Sequence, residues 1–312
     1  MRRSLCSRRT GLSAWTTLLA LWLMAPTVHA ATIAVIYPET SGAYSQVFES
    51  IIAGVQQTPG VRVLPRALAS AVQSDEVQAW LNGERPDAVI ALGQRGYNIA
   101  KGLAADTPVV VGATLMAPDG VSGISLTADP EQFLRRLGEL TPRVKRVFVV
   151  YSEKHNGWLV RRAERLAERY GIQLLASEAA DMRTAVKNYL DVLDAVREQQ
   201  DAIWLPLDIV APDKTVLPLI LEAAWKKRLV VFSDNPSHAE KGALFSLYPD
   251  HEGMGRRLAN MALGMVQNGR TEPGVEPLRD LKIAVNLRTA SHLGMLYTPG
   301  QERDFALVFP SR

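Results

Sequence analysis

"KRVFVVYSEKHNG", residues 145–157, repeats the plan of "ATIAVIYPETSGA", residues 31–43, at a distance of 114 positions. Each is an apolar run that ends in Tyr and then breaks into polar, loop-forming residues. Runs this short and this rich in β-branched residues predict buried strands. The segments downstream of the two runs are alike too. After Tyr37 come a helical spacing at Val47, Ile51, Ile52 and Val55, a strand in "VRVLP" and a helix in "SDEVQAWL" with Ser74 as its N-cap. A strand in "DAVIALG", a helix in "RGYNIAKGLA" and a strand in "PVVVG" complete the series. After Tyr151, "NGWLVRRAERLAERYG" predicts a helix closed by Gly171. Then "IQLLAS", "DAIWLPL" and "LVVFS" predict strands, separated by helices in "TAVKNYLDVLDAVREQQ" and "KTVLPLILEAAWKKR". Tyr37 to Asp87 spans 50 residues and so does Tyr151 to Asp201, with Asp-Ala-Val and Asp-Ala-Ile opening the matching strands.

Strands that are apolar throughout and alternate with helices imply parallel sheets covered on both faces. The expected fold is therefore α/β, with two similar doubly wound lobes; one large sheet is the alternative. Three segments connect the halves: "GVSGIS" at 120–125, the strand and helix in "GALFSLYPDHEGMGRRLANMALGMVQNG", and "LKIAVNL" at 281–287. Three crossings make a hinge. The expected division is an N-terminal lobe of residues 31–120 plus 249–278 and a C-terminal lobe of 121–248 plus 279–312. No low-complexity linker separates them.

The first thirty residues stand apart. Arg2, Arg3, Arg8 and Arg9 precede the apolar run "WTTLLALWLMA", and "PTVHA" supplies small residues at Val28 and Ala30. This is the pattern of a secretory signal cleaved between Ala30 and Ala31, with a run too short to span a bilayer comfortably. "SRRTGL" leaves the twin-Arg route open beside the general one. Removing the leader removes Cys6, the only cysteine, so the mature chain has no disulfide and no thiolate. It also removes four Arg from 35 basic residues against 32 acidic ones, leaving 31 against 32. A near-neutral chain without a basic stripe gives no reason to expect nucleic acid or an anionic membrane as partner. The compartment expected is the periplasm.

Several stretches resemble a known family: "GVSGISLTADPEQFLRRLGELTPRVKRVFVVYSEKHN", "DAIWLPLDIVAP", "VVFSDNPSHAEKGALFSLYPDHEGMGR" and "DLKIAVNLRTASHLG". In order and spacing they are similar to the substrate-binding proteins of ABC transporters, tryptophan-binding members among them, over residues 120–294. The first half resembles that family in architecture only. The resemblance implies the type I periplasmic-binding-protein fold, a small-molecule ligand held by hinge closure, and a permease and an ATPase as partners. Two departures, Gly93-Gln94-Arg95-Gly96 after the third strand and a short segment after Gly112, fall where it places the ligand.

In open parallel sheets ligands bind beyond the carboxyl ends of the strands. The expected walls are 38–44, 93–97 and 112–115 on one lobe, facing 152–158, 207–209 and 233–237 on the other. Thr40 and Ser41 precede a helix, where hydroxyls and free backbone N–H groups hold a carboxylate or merely cap. Gln94, Arg95 and Thr114 are the other candidates on that wall, Arg95 as a bidentate grip on an anion. The resemblance adds Asn156, and it adds Asp208 and Asp234 as carboxylates for an ammonium group or as caps. Tyr248, near a crossing, contacts ligand or stiffens the hinge. Trp204 lies within a strand and reads as core. There is no nucleophile elbow, Walker loop or zincin motif, and His155, His238 and His251 match no metal spacing. The expectation is a monomeric binding protein without catalytic residues, metal or cofactor. A periplasmic ligand sensor is the alternative, and a hydrolase a more distant one.

Overall fold

Ile33, Ala34, Val35 and Ile36 are completely buried, so the opening run forms a central strand rather than an edge. In this computed structural model residues 30–103, 107–118, 120–211, 216–269 and 274–311 are described. The leader's basic segment, its apolar run and Cys6 lie outside them. The first run is strand β1, Ala31–Pro38, followed by helix α1, Ala43–Gln56, strand β2, Val61–Leu68, and helix α2, Ser74–Glu84. Strand β3, Ala88–Leu92, helix α3, Gly93–Ala100, and strands β4, Val109–Thr114, and β5, Ser122–Ala128, come next. With β11, Val275–Leu278, the five strands make an all-parallel sheet in the order β11-β5-β4-β3-β1-β2.

The second run gives the same layout. Helix α4, Pro130–Leu140, leads to β6, Arg146–Tyr151, then α5, Glu153–Ala167, and β7, Gln173–Glu178. Helix α6, Met182–Ala195, strand β8, Asp201–Leu205, helix α7, Val216–Lys226, strand β9, Val230–Ser233, and helix α8, Pro236–Lys241, continue the alternation. Strand β10, Phe245–Pro249, precedes helix α9, His251–Asn268, and after β11 come β12, Leu281–Asn286, α10, Leu287–His292, α11, Pro299–Arg303, and β13, Leu307–Phe309. The second sheet runs β13-β12-β10-β9-β8-β6-β7. The echo in the sequence is an echo in register. Ile33 pairs with Ala88 and Val147 with Ala202, an offset of 55 in both lobes. One step back, Asp87 accepts from the Thr32 N–H at 2.7 Å, and Asp201, fully buried, pairs bidentately with Arg146 at the equivalent position.

Three expectations change. Strand β5 hydrogen-bonds to β4 and β11, so residues 122–128 belong to the first sheet and the first crossing falls at Asp129. Strand β12 is antiparallel to β10. It starts where the third crossing enters, at the end of the sheet where β10 finishes, and must run back. Ser74 is the first helical residue, and Gln73 occupies the cap position without a side-chain bond.

Helices α1 and α9 meet backbone to backbone. A Cβ on Gly255 would stand 2.0 Å from the Ile51 carbonyl oxygen, and one on Gly54 2.0 Å from that of Glu252. Gly255→Ala gains about 1 kcal/mol in helix propensity but forces two backbones apart, an overpacking that costs about 3 kcal/mol. The net expectation is a loss of about 2 kcal/mol in urea denaturation. A variant as stable as the parent would show that the helices separate freely.

The crossings are tied to one another. The Asp129 N–H donates to the Leu278 carbonyl at 2.7 Å, and that of Asp250 to the Asp280 carbonyl at 2.9 Å. Asp129, fully buried, accepts from Arg162 at 2.9 and 3.0 Å and from Arg279 at 3.0 Å, while capping α4 through the Glu131 N–H.

Candidate functional site

In each sheet the order of strands reverses beside the opening strand: between β1 and β3 in the first lobe and between β6 and β8 in the second. Loops diverge at such a switch point and leave a crevice beyond the strand ends. Side chains reach it from the first turns of α3 and α5, because the helices expected from Arg95 and Asn156 start earlier, at Gly93 and Glu153.

In the second lobe the switch point is closed by a polar knot. Asp208 Oδ2 accepts from the Ser152 N–H at 2.9 Å and from Asn156 Nδ2 at 2.7 Å, and its Oδ1 accepts from the Val210 N–H at 3.2 Å. Asn156 Nδ2 donates also to the Leu207 carbonyl at 3.0 Å. Both neighbours are acceptors, so the amide is oriented with its NH2 toward them. Asn156 Oδ1 is left buried without a hydrogen-bond partner among the described residues, on a residue only 1% exposed. The buried Tyr189 hydroxyl likewise has no partner among the described residues; burial first, and then the charge of Asp208, raises its pKa.

Asp234 is joined to this knot from behind. Its Oδ2 accepts from the Leu207 N–H at 3.1 Å, and its Oδ1 from the Ala128 N–H at 3.3 Å, across the first crossing. Capping of α8 falls to Asn235, whose Oδ1 accepts from the Ser237 N–H. Although part of the residue stays exposed, burial of the carboxyl group pushes its pKa up to about 7 against the pull of the two backbone donors. Below pH 4 this group is protonated in folded and unfolded chains alike. Between pH 4 and pH 7 the unfolded chain releases the proton that the folded one retains, so its contribution to stability declines as pH rises. We expect Asp234→Asn to gain stability relative to wild type on going from pH 4.5 to pH 8, by a few kcal/mol. Parallel stability–pH curves from chemical denaturation would refute this.

On the first lobe the residues are more dispersed. Gly93 takes φ +70°, and a Cβ there would meet Pro38 at 3.1 Å and Phe48 at 3.3 Å, so the ends of β1 and β3 close on each other. Thr114, at a slip in the β4–β5 pairing beside Ala113 with φ +57°, donates to Gln94 Oε1 at 3.1 Å. Arg95 turns toward the loop after β2, where Nη2 donates to the Val72 carbonyl at 2.7 Å; its Nε is buried without a partner among the described residues. Thr40 and Ser41 are exposed, and α1 begins after them with Gly42 as a cap that makes no side-chain bond. Tyr248 lies in β10 opposite Lys282, half-buried. The structure thus groups Asn156, Asp208 and Asp234, pairs Gln94 with Thr114, and leaves Thr40, Ser41, Arg95 and Tyr248 apart from both groups. Trp204 is core, 2% exposed and stacked on Phe232.

The wall segments also carry two large exposed apolar side chains, Tyr44 at 75% and Ile209 at 54%. The backbone donors at Ser152, Leu207 and Ala128 have no signature in side-chain type, and only the strand ends locate them.

The sequence profile of the ABC transporter substrate binding proteins matches residues 67–300. No curated protein sequence matches the chain significantly. Solved structures share the fold. An ABC domain in complex with L-Trp from Streptococcus pneumonia is 19% identical, with a TM-score of 0.54 over 89% of this chain and 99% of that one. The ligand-free, open structure of CD0873, a substrate binding protein with adhesive properties from Clostridium difficile, is 16% identical, with a TM-score of 0.59 over 90% and 100%. A conserved domain protein from Vibrio cholerae is 19% identical, with a TM-score of 0.53 over 89% and 99%.

Proposed function

The chain belongs to the ABC transporter substrate-binding protein family, and on that premise we propose that it is an exported solute-binding protein serving an ABC importer. It takes a small polar ligand, an amino acid or a related compound, between its lobes, and delivers it to a permease and an ATPase. The observation that carries this reading is the oriented amide of Asn156. Its NH2 is spent on Leu207 and Asp208, and its buried Oδ1 has no donor. A buried acceptor without a partner costs about 1–3 kcal/mol, and a ligand ammonium or amide N–H recovers it. The L-Trp bound by the pneumococcal neighbour supports an amino acid, and exposed Tyr44 and Ile209 on facing walls suit one with an apolar side chain.

Closure arises from the crossings: a ligand that bonds to both walls shifts an open–closed equilibrium about the network at Asp129. No described helix is long and apolar enough to cross a membrane, and the leader pattern supports release into the periplasm with Ala31 as first residue. A thermal-shift panel of the twenty amino acids and related metabolites tests the binding role. A true ligand at a hundred times its Kd adds about 2.7 kcal/mol to stability. A panel in which nothing raises Tm removes the proposal, and an intact N-terminus in mass spectrometry removes export.

A further inference from the structure

Across the second sheet from the cleft, where β6, β8 and β9 begin, lies a cavity of about 210 Å³. It is separated from the cleft by the length of β6, six residues or roughly 20 Å. Leu140 at the end of α4 and Val144 after it, together with Leu293 and Met295 after α10, give it apolar walls. Among the described residues its only charged lining ones are Arg143 and Arg228, and none of them brings a carboxylate to it. Neither guanidinium has a hydrogen bond or ion pair among the described residues, and Arg228 Nε is sealed from solvent without a partner. The Thr141 hydroxyl, also on the wall, is committed to the Leu137 carbonyl at 2.7 Å. Arg228, with φ +50°, and Gln199, with φ +61°, hold backbone conformations that favour glycine, so their side chains stand here at a conformational cost.

We propose that this pole is a second binding site, for a small monoanion with an apolar body, such as a medium-chain or aromatic carboxylate. Charge decides the class. Two unpaired guanidiniums above an apolar floor match a carboxylate head on a hydrocarbon tail, and a cation has nothing to meet. Size decides the scale, since the volume lies just under the range of sites for drug-sized ligands. A larger hollow nearby, about 360 Å³, lacks this selectivity. It mixes Glu222 and Glu240 with Lys241 and Arg288, and its Trp225 ring is already stacked on His292 at 3.7 Å.

Octanoate is the probe, titrated by calorimetry into the purified protein and followed by NMR of ¹³C-methyl methionine. Saturable one-to-one binding is expected, with a shift of the Met295 methyl signal. Octanamide, which lacks the charge, binds at least tenfold more weakly, and Arg228→Gln and Arg143→Gln each weaken octanoate by about tenfold. Asp208→Ala, in the cleft, leaves octanoate affinity unchanged. No saturable binding, equal affinity for octanamide, or loss of octanoate in Asp208→Ala overturns the proposal. Should Arg228→Gln fail to fold, the Met295 shift in wild type and the Arg143→Gln titration decide it alone. Failure here leaves the role of the cleft untouched, because that role is read from a different ligand panel.

Discussion

Replacing Asp129 by Ala lowers the unfolding free energy by about 4 kcal/mol. Asp129 is fully buried, and it is the shared anion for Arg162 on α5 and Arg279 in the third crossing. Removing one partner of a buried ion pair costs about 3–5 kcal/mol when the other charge is stranded. The two guanidiniums are 27% and 43% exposed and regain some water, which puts the loss at the lower end of that range. Loss of the cap on α4 adds about 1 kcal/mol. Asp129→Asn keeps an acceptor for the Glu131 N–H and gives up the charge, so its loss is about half as large. Urea denaturation of both variants measures this. A loss under 1 kcal/mol for Asp129→Ala would mean that the arginines find other partners, and that the crossings are not held through this carboxylate.

The same residue marks the limit of what the sequence discloses. Repetition made the two lobes legible, because a strand buried on both faces has to be apolar throughout. The equal spacing of Asp87 and Asp201 anticipates an equal register, offset by 55 in each sheet. Membership of β5 was not legible. "SGISLTA" has the composition of a buried strand in either sheet, and only pairing with β4 and β11 assigns it. The direction of β12 was hidden for the same reason, as composition does not encode strand polarity. Gly93 suggests a loop, yet it is the first residue of a helix, and the helix expected from Asn156 starts earlier, at Glu153; a Cβ on Gly157 would strike the Glu153 carboxylate. At the site, carboxylates at strand ends pointed to Asp208 and Asp234. Their partners are largely backbone N–H groups of other strands, and backbone donors leave no trace in residue type. Arg95, expected as a grip on an anion, donates through Nη2 to the Val72 carbonyl, a backbone acceptor that its charge does not disclose.

The largest effect on binding is expected at the knot itself. Asp208→Ala removes the acceptor of the Ser152 N–H, of the Val210 N–H and of one Asn156 N–H. Ser152 is 4% exposed, so its amide is left without water or protein partner, a cost of about 1–3 kcal/mol in stability. The consequence for ligand is indirect as well as direct. With Asp208 gone, Asn156 retains only the Leu207 carbonyl to orient its amide, and the acceptor offered to the ligand is no longer held in place. A hydrogen bond to a charged group contributes about 1.5–3 kcal/mol, which places the loss of affinity at about 10- to 100-fold. Asn156→Ala deletes the acceptor but keeps the Asp208 bonds to Ser152 and Val210, and is expected to lose about tenfold with little change in Tm. Asn156→Asp is expected to be worse than Asn156→Ala, since it sets a second carboxylate against Asp208 where a donor now stands at 2.7 Å. Its affinity should recover partly at low pH, when the pair shares a proton. Calorimetry with the compound that most raises Tm in the metabolite panel gives the order. Affinities within threefold of wild type for both Asp208→Ala and Asn156→Ala would show that the ligand rests on other residues, whereas a loss confined to Asp208→Ala would transfer the contact from the amide to the carboxylate.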